Sequence, residues 1–99
     1  MNGASNNDTV GKDDRKRRVL DVLIDTSMAL PSVVIFRNVK LQGATFERRS
    51  VNNYLRELVE EGYVRKVSPD ALDRGELVDV ETSEQGYYIA TDRASEFPD

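Results

Sequence analysis

The sequence predicts a small α+β fold in which three helices precede a β-hairpin. Three observations carry that expectation. At about 100° per residue, Val51, Tyr54, Leu55, Leu58 and Val59 gather on one side of a helix. Gly62 follows, where a helix end favours a residue that accepts the left-handed conformation. Beyond it, Tyr63-Val64-Arg65-Lys66-Val67 alternates like a strand, and Gly86-Tyr87-Tyr88-Ile89-Ala90 supplies a second one.

Along the chain, residues 1 to about 12 are polar, with Val10 the only bulky apolar side chain after Met1, and read as a disordered tail ahead of one domain at 13–97. Asp13 or Asp14 starts the first helix and sets carboxylates at its positive end. Val19, Val22, Leu23 and Thr26 repeat at helical spacing and form its buried stripe. Ser27-Met28-Ala29-Leu30 interrupts that pattern as a short strand or an extended connector. Pro31 suits the first turn of a second helix, which runs to about Asn38 or Lys40 and buries Ile35, Phe36 and Val39.

A turn at Leu41-Gln42-Gly43-Ala44-Thr45 leads to Phe46, which plugs the core before the third helix. Thr45 is the candidate cap of that helix, and Glu47 suits its dipole. After Val67, Ser68-Pro69-Asp70 reads as a helix start or a turn. The segment 77–82 reads as a strand or part of a long wing. Thr91 caps one or two helical turns over 91–97, with Phe97 packing back and Pro98 ending them.

Helix, helix, helix, strand, wing, strand is the order of a winged helix-turn-helix. Its third helix carries Arg49, Asn53 and Arg56 on the face opposite the apolar one, with Asn52 on the flank and Arg48 nearer the buried edge. Arg and Asn have the forked donor and acceptor geometry that matches guanine and adenine edges in the major groove. An ordinary solvated helix surface carries such residues too. The absence of acids on this face before Glu57 and Glu60 favours the nucleic-acid reading. Arg15, Arg17, Lys40 and Lys66 are the candidate phosphate holders, and Arg65 joins Lys66 at the base of the wing.

Composition excludes other classes. The 99 residues hold no histidine and no cysteine, which removes the commonest general base, the thiol nucleophile and the usual zinc ligands. The glycines are isolated, so no phosphate-cradling loop is present. Neither an enzyme nor a cofactor or metal site is expected. No apolar run is long enough to span a bilayer and no secretory signal opens the chain, so a cytoplasmic protein is expected. The formal net charge is −4, unusual for a DNA binder. Acids concentrate between Pro69 and Gln85, where Arg74 is the only cation. Only Lys12, Lys16, Lys40 and Lys66 are lysines, and this acid-rich, lysine-poor balance resembles that of proteins from salt-loving archaea.

At Ala29-Leu30-Pro31-Ser32-Val33-Val34-Ile35, at 49–64 and at 86–92 the chain resembles the haloarchaeal winged helix-turn-helix regulators, in particular the phage phi-H repressor-like family. The resemblance covers most of the chain from about residue 13. It implies a third helix in the major groove, read out by Arg49, Asn52, Asn53 and Arg56, and a wing against the backbone or the minor groove. Two features depart from the pattern: the long connector from Asn38 to Phe46, and the acidic wing from Ser68 to Gln85. The expected function is sequence-specific binding of double-stranded DNA by a transcriptional repressor that acts by occlusion. A homodimer on an inverted repeat is expected, joined through the first helix, the C-terminal turn or the wing. The alternative is a winged helix that binds a protein partner.

Overall fold

A computed structural model describes residues 11–98. Most of the tail expected over 1–12 therefore lies outside the described residues. The order is α1 (Lys12–Thr26), α2 (Ser32–Leu41), α3 (Arg48–Glu60), β1 (Val64–Val67), α4 (Pro69–Asp73), β2 (Tyr87–Ala90) and a 3-10 turn (Asp92–Glu96). It is an α+β arrangement whose antiparallel strand pair follows the three long helices, as the sequence predicts.

The three helices meet around Leu20, Leu23, Ile35, Val39, Val51, Leu55 and Leu58, all fully buried. Burying such side chains stabilises the fold by roughly 1.5–3 kcal/mol each relative to exposure. Phe46 plugs one end of this core and meets Tyr54 edge-on at 5.8 Å. At the other end, Phe97 folds back onto Tyr63 with ring centroids 5.1 Å apart. Val64 extends the core under the sheet.

Several local expectations change. Thr26 does not join the buried stripe: it is exposed, and its hydroxyl donates to the Val22 carbonyl at 2.9 Å. A threonine near a helix end satisfies itself locally in this way, and Leu20 takes the core place instead. Pro31 precedes α2 as its N-cap, in extended conformation, rather than entering the first turn. Thr45 does not cap α3. Glu47 occupies that position without a side-chain bond, because buried Phe46 fixes the chain entry one residue before it.

The hairpin is elaborated. β1 pairs with β2 in the register Val64↔Ala90 to Val67↔Tyr87. On the other edge of β1, the Ser68 amide donates to the Val78 carbonyl and the Val80 amide to the Lys66 carbonyl. Leu30 bridges to Tyr88 on the outer edge of β2. The interruption after α1 is thus a one-residue strand fragment. The connection between β1 and β2 holds the helix α4, capped by the Ser68 hydroxyl, and a return segment beside β1. Gly86 admits that return: an added Cβ would lie 2.9 Å from the Val67 carbonyl oxygen and 3.0 Å from Val80.

Candidate nucleic-acid interface

Helix α3 is the most strongly amphipathic of the three long helices. Its apolar side, Val51, Tyr54, Leu55 and Leu58, is sunk in the core. That burial fixes where every other side chain of the helix points. Arg48, Arg49, Asn52 and Arg56 are exposed and Asn53 is half-buried. None of these five side chains forms an ion pair or hydrogen bond among the described residues. Several other cations are engaged. Lys12 and Lys16 bind Glu57, Arg17 binds Asp21, and Arg65 binds Asp79. In a chain of net charge −4, three arginines left unpaired on one helix stand out.

Arg48, Asn52 and Arg56, one turn apart, line a groove of about 740 Å³ between α3 and the β1–β2 connection. Ser32 and Val33 at the start of α2 form part of its wall. Their amides precede the first intrahelical bond, which runs from Val34 back to Pro31. The positive end of α2 therefore opens on the groove, a setting that favours an anion. The sequence reading missed this contribution, although Pro31 marks the helix start that carries it.

Of the two cations at the base of the connection, only Lys66 faces this groove. It is 7 % exposed, donates to the Thr82 carbonyl at 2.8 Å and lies over the Tyr88 ring. Burial holds its pKa below the ordinary lysine value, against the opposing pull of Glu84. The same burial pushes the Tyr88 hydroxyl up. Lys66 thus fastens the connection as well as lining the groove. Arg65 points to the opposite sheet face, as strand alternation requires. It lines a separate hollow with Gly62, Leu77 and Ile89.

On α1, Arg15 and Arg18 sit together over the turn at Gly43–Phe46, and Arg15 lies 5.9 Å from the Phe46 ring centroid. That turn leads into α3. Arg17 is turned toward Asp21 at 3.0 Å. Lys40, at the end of α2, lies over Phe36 at 5.8 Å. Lys16 is a structural cation: its ammonium is buried between α1 and α3 against Glu57 and Glu61.

Acids frame the exposed helix. Glu60 ends the outward face of α3 without a side-chain partner among the described residues, and Glu84 lines the groove. The C-terminal end of α3 is closed from outside. Gly62 takes φ +87°, the Thr91 hydroxyl donates to its carbonyl at 2.8 Å, and the Arg93 guanidinium donates to the Glu61 carbonyl at 2.6 Å. Among the described residues, no helix is long and apolar enough to cross a membrane.

Compared with known protein families, curated proteins and solved structures, the chain matches none.

Proposed function

We propose that this chain is a winged helix-turn-helix regulator that binds double-stranded DNA and reads the major groove with α3. One observation carries the reading: Arg48, Arg49, Asn52, Asn53 and Arg56 leave one helix with no partner among the described residues. An α-helix about 10–12 Å across fits a major groove about 12 Å wide. The groove beside α3, walled by the start of α2 and by Lys66, suits a phosphate strand running alongside. Arg15 and Arg18 flank the start of the helix and serve a second phosphate contact. Arg17, Lys40 and Arg65 are engaged elsewhere and contribute little. The connection between β1 and β2 is the wing. Its acids act against close backbone contact at its tip.

Regulation by occlusion follows from such binding: a repressor seated on a promoter blocks its other occupants. One such domain covers too little DNA for tight binding, so two copies on an inverted repeat are proposed, with half-sites about one helical turn apart. Acid-rich, lysine-poor composition supports action in a cytoplasm of molar salt. There the Debye length is about 3 Å, and net charge loses its long-range effect on approach to DNA.

The test is footprinting of the purified protein on genomic fragments, its own promoter included, at low salt and in molar KCl. Protection of a discrete site that survives molar KCl is expected. Protection without a boundary, seen only at low salt, would reduce the protein to a nonspecific phosphate binder. Failure at both salts would refute DNA binding and leave a protein partner as the occupant of α3.

A further inference from the structure

The outward face of α3 carries more information than a general affinity for DNA. Opposite the buried row lie Arg49, Asn53 and Arg56, within a sector of about 60° at 100° per residue. Arg48 and Asn52 are rotated toward the wing and share a groove with the positive end of α2, and Arg56 borders that groove from the outward side. These are two chemically different settings. The groove side offers the positive end of α2, with Lys66 buried in its wall, a setting that suits a phosphate. The outward side offers, ahead of Glu60, forked side chains without a partner among the described residues, which suit base edges.

Helical rise then sets the order. Arg49 and Arg56 are separated by about 10 Å along the axis, roughly three base-pair steps at 3.4 Å. Asn53 lies about 6 Å from Arg49 and about 4.5 Å from Arg56, so it falls nearer the second arginine. Glu60, one turn beyond Arg56 and without a side-chain partner among the described residues, repels the DNA backbone and closes the row.

We propose that Arg49, Asn53 and Arg56 read a four-base-pair tract with a G·C pair at each end and an A·T pair next to the one that Arg56 reads. Arg48 and Asn52 hold the phosphate strand and do not choose bases. This assignment rests on the reading of α3 as the DNA-contacting helix and adds its base order.

The experiment is selection of bound duplexes from a random-sequence library by the intact chain and its variants. The unaltered protein should enrich the tract, with roughly tenfold or greater discrimination at each assigned pair. Arg49→Ala should lose the guanine at one end and Arg56→Ala the guanine at the other. Asn53→Ala should lose the adenine, whereas Asn53→Gln, which keeps the amide fork, should retain it. Arg48→Ala should weaken binding to all sequences alike and leave the motif unchanged. An enriched motif lacking the two guanines, or one that survives all three alanine variants, overturns the base assignment while leaving DNA binding intact. A motif altered by Arg48→Ala overturns the division between the two sides. Absence of enrichment by the unaltered protein overturns both this inference and the DNA-reading function.

Discussion

Charge removal at the α1–α3 contact should have unequal consequences depending on which partner is changed. Lys16 is 4 % exposed; its ammonium donates to the Glu61 carboxylate at 2.9 and 3.1 Å and lies 3.2 Å from the Glu57 carboxylate. The carboxylates are wetter, at 25 % and 46 % side-chain exposure. Glu57→Gln with Glu61→Gln leaves a buried cation without an anion. Breaking a fully buried pair this way costs about 3–5 kcal/mol. Water reaching the carboxylate side reduces that, so a loss of about 2 kcal/mol is expected. Lys16→Met keeps the length of the stem and lets both carboxylates return to water, so it should change stability by less than about 1 kcal/mol. Urea unfolding at pH 7, followed by circular dichroism, separates the two. A Lys16→Met variant less stable than the double glutamine variant would refute the reasoning.

The pH dependence has the matching sign. Burial alone would lower the Lys16 pKa, but the bonds from Glu61 and Glu57 outweigh it and raise it above 10.5. Its contribution is fully present below that unfolded value and is lost as pH rises through the higher folded one. Glu57 is held below 4.5, chiefly by its bond to Lys12 and further by Lys16, against the effect of burial. Its contribution is present above 4.5 and is lost as pH falls through the lower folded value. The contact is therefore complete across the neutral range and fails at both extremes.

Three further outcomes are expected. Arg49→Ala combined with Arg56→Ala should lower specific DNA affinity by roughly a hundredfold or more with little change in melting temperature, whereas Arg65→Ala should leave DNA affinity nearly unaltered; titration of a labelled operator checks both. Glu60→Gln should tighten DNA binding, and more at low salt than in molar KCl, because it removes a screened like-charge repulsion; equal gain at both salts would contradict that cause. Gly62→Ala should cost about 1–2 kcal/mol in thermal or urea unfolding, since φ is +87° and the added Cβ would meet the Arg93 guanidinium at 2.9 Å; adding Arg93→Ala should relieve the clash and leave the backbone cost.

Legibility followed the range of the interactions. Helix α3 and its Gly62 stop could be read because periodicity and a left-handed end are local properties. The strand at Tyr87–Ala90 and the 3-10 turn capped by Thr91 were legible for the same reason. Lys16 was not: nothing near it in sequence distinguishes it from Arg15 or Arg18, and its burial depends on carboxylates on another helix, Glu61 lying 45 positions away. Thr26 fitted the apolar spacing but had a nearer acceptor in the Val22 carbonyl. The return of Val78–Val80 along β1 depends on a close approach at Gly86, which no pattern within that segment announces. Within the candidate interface, the placement of the five α3 residues away from the core was legible from helical phase. The separation of Arg65 from Lys66, and of Arg17 from Arg15 and Arg18, required the packed positions of the strand and of α1.

Glu61 is gripped by two segments on opposite sides of it in the chain: its carboxylate by Lys16, 45 positions before it, and its carbonyl by Arg93, 32 positions after it. Synthesis delivers these partners in sequence. A nascent chain emerging from a ribosome can seat α1 against α3 early, but the end of α3 stays unlatched until residues 91–97 have cleared the exit tunnel. Chains stalled before that point carry the arginine-rich helix without its final brace. The bracing of α3 thereby waits on a segment made 32 positions after the carbonyl it holds.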